Sequence, residues 1–318
     1  MSSRIKTVLY SRGVRVVVRS LTVALLVATV AFSVLRLAPG DPVAVLLGDQ
    51  ATPEAAAQMR QKLGLTGSVF EQYLAFLGGA ITGNLGESVT SGTPVAQVIA
   101  RSLGPTLALV LAASLLGMII AVPLGLWLAL HPSTVGEKIV NIASTVLLAT
   151  PGFYLGLIML LLFAVRLGLA PVAGFDARFP QALYYLWLPA LVVCGQLVPV
   201  LSRVFRVSVA RTIREEFTEA AIVRGIPSSR YLIHYLVRPS IAPTLSLLGY
   251  LAGQLLGSAV VIEMVFGFPG IGTELVRAVA ARDYPTVQGI VLTFGVLVVL
   301  ITTLAELVTT RVDHRIGA

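Results

Sequence analysis

The chain has 318 residues, 56% of them hydrophobic and only 12% charged, with a mean hydropathy of +0.90. A soluble globular chain carries about a quarter charged residues, so there are too few charges here to cover a water-facing surface. The net charge of +8 comes without basic patches interleaved with stacking aromatics, which argues against a nucleic-acid partner and for basic loops on the cytoplasmic side of a membrane.

A membrane-crossing helix needs about 20 mostly apolar residues. Segments of that kind lie at Val14–Leu37, Thr106–Leu130, Ile139–Leu167, Tyr185–Val204, Ile241–Val265 and Thr286–Val308. The expected fold class is an all-α polytopic membrane protein with six transmembrane helices and a lipid bilayer as its solvent. Arg12, Arg15 and Arg19 precede the first apolar run, but the run is long and no small-x-small site follows it, which reads as an uncleaved first helix. With both termini in the cytoplasm, Lys138, Arg203, Arg206, Arg211, Arg214, Arg224, Arg230 and Arg238 fall inside. Asp41, Asp49, Glu54, Glu71, Glu87, Asp176, Glu263, Glu274 and Asp283 fall outside or at that interface, as the positive-inside bias requires. The expected organisation is a tail and first span over 1–37, an external loop over 38–104, a five-helix core over 105–308 and a cytoplasmic tail over 309–318. The core includes a cytoplasmic loop at 203–240.

In the external loop, Thr52-Pro53-Glu54 reads as an N-cap, a first-turn proline and a first-turn acid, with Gly64 to end the helix. A second stretch puts Phe70, Tyr73, Leu74, Leu77 and Ile81 on one face and reads as a small cap or a helix lying on the membrane. The cytoplasmic loop reads as a helix over about Val207–Val223, a break at Gly225, and a second helix over about Ser229–Val237 that ends before Pro239. Phe217, Ala220, Ala221, Ile222, Tyr231 and Leu232 cannot all be buried within so short a segment, so this loop needs a partner. After the fifth span, Gly267-Phe268-Pro269-Gly270-Ile271-Gly272 reads as a tight external turn or re-entrant segment.

Within the spans, Gly249, Gly253 and Gly257 repeat every four residues, and Gly117, Ala121 and Gly125 form a second stripe. Small residues at this spacing let helix backbones approach closely, whether for static packing or for sliding during transport. Ionisable residues are nearly absent from the span centres, which counts against an ion-coupled carrier or a channel acting alone. Gln196 and Gln254 are the polar candidates there; each either lines a translocation path or bonds a neighbouring helix. His131, His234 and His314 have no metal-type spacing, Cys194 stands alone, and no Gly-x-Ser-x-Gly occurs. None of the lysines, Lys6, Lys62 and Lys138, follows a glycine. A Walker-type ATP site is therefore absent from the chain, which reads as non-catalytic, without a metal or cofactor of its own.

Glu219-Ala220-Ala221, three residues, then Gly225 resembles the EAA signature of permease subunits of binding-protein-dependent ABC importers. Leu37-Ala38-Pro39-Gly40-Asp41-Pro42, Asn84-Leu85-Gly86-Glu87-Ser88, Pro269-Gly270-Ile271-Gly272, Ala281-Arg282-Asp283-Tyr284-Pro285 and Asp313-His314-Arg315-Ile316 are similar to the B-type permease of dipeptide/oligopeptide importers. The resemblance covers essentially the whole chain. It implies a type I ABC importer permease fold in the plasma (inner) membrane, with a coupling helix at Glu219, Ala220, Ala221, Arg224 and Gly225 that docks on an ATPase. It also implies the partners: a second homologous permease, two ATPase subunits that bind ATP and Mg, and an external substrate-binding (lipo)protein. Permeases of this kind also serve nickel, haem, glutathione or oligosaccharide. The chain departs from the family where Tyr235 stands in place of a histidine and Pro239 in place of an asparagine.

Overall fold

A computed structural model of the chain describes residues 18–33, 36, 43, 47 and 52–312. The outer ends of the expected first span and the motifs at 37–42 and 313–316 lie outside these residues. Among the described residues the structure is helical, with one isolated bridge between Glu87 and Pro94. The chain divides into two compact units, one of residues up to 104 together with 270–300, the other of 105–269 together with 301 onward.

In the first unit, α1 is apolar over its described residues, Val18–Ser33. α2 (Pro53–Lys62) starts as its sequence dictates: the Thr52 hydroxyl accepts the Ala55 N–H, and Gly64, at φ +64°, follows its end. α3 (Val69–Thr82) has a reciprocal capping box between Ser68 and Glu71. Its expected apolar face divides between a neighbouring helix and open surface. Tyr73, Phe76 and Leu77 face α1, with the Tyr73 hydroxyl 2.8 Å from that of Thr29 and its ring 5.0 Å from Phe32. Phe70, Leu74 and Ile81 are exposed. This unit also holds α10 (Ile271–Ala280), an amphipathic helix where only a turn or re-entrant segment was expected.

α4 (Val95–Leu130), α7 (Gln181–Thr212), α9 (Ser228–Val265) and α11 (Tyr284–Val312) are long and apolar enough to cross a membrane. The expected third span is instead a bent pair. α5 (Val135–Ala149) and α6 (Gly152–Met159, prolonged by a π turn over Leu160–Arg166) meet at 103°. Pro151 supplies no N–H, and Thr150 before it is extended at ψ 123°, as a residue preceding proline prefers. The described residues therefore hold four crossing helices, or five with the bent pair counted as one; α1 lies within the expected first span, whose outer ends are outside the described residues.

Two expected boundaries also move. α7 runs on to Thr212, so the first cytoplasmic helix shrinks to α8 (Glu216–Val223). α9 runs through Pro239 instead of ending before it. A π turn over Tyr231–Val237 precedes that proline, with the Arg238 N–H donating to Ile233; hydrogen bonding is already shifted from i−4 to i−5 there, so a missing N–H costs less than in a regular helix. The core of the second unit joins Leu109 and Ala113 of α4, Leu188 and Val192 of α7, and Ala259, Ile262 and Phe266 around α9. Leu111, Leu115 and Ile119 form an exposed apolar face on α4, the surface that a lipid-contacting helix presents.

Candidate functional site

The EAA-like segment forms a short, well-anchored helix. Glu215 is extended ahead of it, and Gly225 turns the chain after it at φ +65°, a conformation that costs other residues about 1–2 kcal/mol. The Ile226 N–H donates to Ala221, closing the C-terminal turn. On the inner side of α8, Thr218 is fully buried and its hydroxyl donates to the Thr212 carbonyl at 2.7 Å. The Thr212 hydroxyl lies 2.8 Å from that of Ser240, so α7, α8 and α9 are laced together. Tyr235, at the position where the sequence departs from the family pattern, stands between the rings of Phe217 and Tyr231 at 6.5 and 6.4 Å. Leu236 closes a small core with Phe205 and Val209.

The alanine pair divides. Ala221 is 2% exposed and packs on its own chain, while Ala220 is half-buried. Glu219, Arg224 and Gly225 are exposed, and so are Ile222 and Val223, the latter at 88%. Val223 carries no family signature. Its signal in the sequence is an apolar pair at the end of a short helix that begins with acids.

The glycine stripe of α9 changes character along its length. A Cβ on Gly249 would lie 1.9 Å from that of Ala305, so only glycine permits this approach to α11. Gly253 is buried, whereas Gly257 is exposed with nothing within 4 Å of its Cβ position. The second stripe sets α4 on α7: Ala121 is fully buried, and the Cβ positions of Gly117 and Gly125 meet Leu197 and Ser202.

The two glutamines are not brought together. Gln254 is exposed and donates to the Tyr250 hydroxyl at 2.9 Å. Gln196 is half-buried and donates to the Thr150 carbonyl at 3.3 Å, beside the break between α5 and α6. A cleft of about 180 Å³ opens there, lined by Gln196 and Ser258 among Phe153, Val192 and Leu255. Glu263, placed near the outer interface by sequence, is fully buried and accepts a 2.5 Å hydrogen bond from Thr106, because the part of α4 from Thr106 to Ala113 packs against the end of α9.

In the other unit the structure joins two motifs that are far apart in sequence. The Asp283 carboxylate, 2% exposed, accepts from the Ser88 and Thr90 hydroxyls at 2.5 and 3.0 Å and from the Val89 and Thr286 N–H groups. Burial pushes its pKa up, but these donors outweigh burial and hold it below the ordinary value. Among the described residues no group of three His, Cys, Asp or Glu could hold a metal ion.

Residues 121–318 match the family "Binding-protein-dependent transport system inner membrane component", and residues 12–110 match the N-terminal region of such membrane components. The di/tripeptide transport system permease protein DppB of Pseudomonas aeruginosa is 31% identical over 91% of this chain and 94% of its own. The oligopeptide transport system permease protein AppB of Bacillus subtilis is 28% identical over 95% and 98%. The nickel import system permease protein NikB of Staphylococcus aureus is 30% identical over 98% and 92%. One chain of a solved amino acid ABC transporter covers 68% of this chain at 19% identity and a TM-score of 0.48. The chain belongs to the family of inner-membrane components of binding-protein-dependent transport systems.

Proposed function

We propose that this chain forms half of the translocation pathway of an ATP-driven importer of di- and oligopeptides. In this reading both termini are cytoplasmic. A second permease of the same family completes the pathway, two ATPase subunits bind ATP and Mg, and an external binding protein delivers cargo. The observation that carries the reading is α8: anchored by Thr218 and Ala221 on one side, it exposes Glu219, Ile222 and Val223 on the other. Exposed apolar residues beside an acidic group, on a helix held rigidly by its own chain, suit a groove on a partner protein.

The mechanism follows from continuity. α9 runs unbroken from Ser228 to Val265, and at 1.5 Å per residue Tyr231 and Ser258 are about 40 Å apart along it. Tyr235 and the Thr212–Ser240 contact tie α8 to its lower part. When ATP closes the ATPase dimer, a pull on α8 moves α9 as a rod and shifts the face that carries Gln254, Gly257 and Ser258. The close approach at Gly249 supplies the packed surface against which such a rod rocks.

Two of the relatives named above are peptide permeases and one is a nickel permease. The cleft beside Gln196 has no carboxylate, imidazole or thiolate in its lining, which counts against a bare metal cation as its occupant. The test is co-purification of the tagged chain with a Walker-containing ATPase, followed by ATP-dependent tripeptide uptake in proteoliposomes. A chain that purifies without an ATPase and conducts on its own would overturn the reading.

A further inference from the structure

We infer that the cleft between Gln196 and Ser258 is a cargo subsite that hydrogen-bonds the backbone amide of a passing peptide residue; the inference rests on the peptide-cargo reading. Gln196 spends one N–H on the Thr150 carbonyl. Its other N–H and its carbonyl oxygen have no partner among the described residues and stand at the mouth of an otherwise apolar cleft. An N–H donor beside a C=O acceptor is the pair that an extended residue presents along one edge. Ser258 donates to the Leu255 carbonyl at 3.3 Å and keeps its lone pairs for a cargo N–H.

The glutamine is held in place. A Cβ on Gly152 would lie 3.1 Å from its Nε2 and 3.3 Å from its Oε1, so the bend after Pro151 brings a bare glycine where a side chain would displace the amide. The volume also limits the occupant. About 180 Å³ is below the roughly 300 Å³ at which pockets for drug-sized ligands begin, so the cleft takes one residue at a time. Phe153, Val192 and Leu255 offer that residue apolar walls without shape selection, and the absence of charge keeps binding weak enough for release.

The test uses the assembled transporter in proteoliposomes, with cargo-loaded binding protein and radiolabelled trialanine or its backbone N-methylated analogue as the probes. Both permease versions meet the same loaded binding protein, so its own preference cancels. Gln196→Leu is expected to cut trialanine uptake about tenfold, as for one buried polar partner left unpaired, and uptake of the N-methylated analogue less than twofold. Gln196→Glu, which keeps the shape and loses the N–H donors, is expected to fall between. Equal losses for both probes, or no loss, would overturn the subsite while leaving the peptide-importer reading intact. Failure of the wild-type complex to move any tripeptide would overturn both. Should Gln196→Leu fail to assemble, Ser258→Ala, at an exposed position, decides the matter: a loss of about threefold confined to trialanine supports the subsite, and an unchanged ratio overturns it.

Discussion

The α8 loop and the Asp283 clasp are both built from family-like motifs, yet they differ in where their partners lie. Asp283 finds four donors inside its own unit and is nearly sealed from solvent. α8 satisfies its inner side with Thr218 and Ala221 and leaves Ile222 and Val223 in the open. A motif whose groups are satisfied within the chain serves stability. A motif anchored on one side and left apolar on the other is what the proposed docking of α8 on a partner requires.

That contrast is broken or sharpened by measurement. The largest effect is expected at the clasp. Asp283→Ala strands several buried donors, should cost about 3 kcal/mol, and should lower the melting temperature in detergent by roughly 5–10 °C, with ATPase association retained by the folded fraction. A normal melting temperature would show that the clasp is dispensable. Gly249→Val comes next. It forces a branched side chain into the contact with Ala305 and should destabilise by about 2 kcal/mol, whereas Gly257→Ala, in open space, should change stability by less than about 0.5 kcal/mol. Equal effects at the two positions would contradict the packed-to-open change along α9.

Val223→Asp should leave the melting temperature unchanged and weaken binding to the ATPase about tenfold, roughly 1.4 kcal/mol, read by titration of the purified subunits. A loss of stability with unchanged binding would reverse the assignment of the two regions. The smallest expected effect is on pH dependence. The folded pKa of Asp283 is depressed, so its contribution is fully present above the unfolded value near 4 and is lost as pH falls through the lower folded value. Melting temperature should be flat from pH 8 to about 5 and fall below about 4, and Asp283→Asn should blunt that fall.

The loop's local shape was legible in the sequence because chain-local signals carry it: Glu219 to Gly225 is contiguous, and Gly225 breaks the helix as expected. Its orientation was not. Whether Ala221 or Val223 faces outward depends on which side of α8 meets α7, and sequence spacing does not say which. The two halves of the clasp, Ser88 and Asp283, stand in separate motifs of the sequence, and their meeting is a long-range contact invisible to periodicity. The bend at Pro151 was missed because apolar composition runs through it unchanged. The passage of α9 through Pro239 was missed because proline ordinarily ends a helix, and only the π turn before it makes room.

By itself, the amino-acid sequence determined that this chain spans a membrane, lacks a Walker site and carries a short EAA-like motif ended by Gly225, because hydropathy, composition and short motifs act locally. Only the tertiary structure decided that Ala221 is spent on its own chain, that Gly249 is packed while Gly257 is open, and that Asp283 closes on Ser88. Each of these depends on which faces meet, and that is settled by side chains competing for the same packed space.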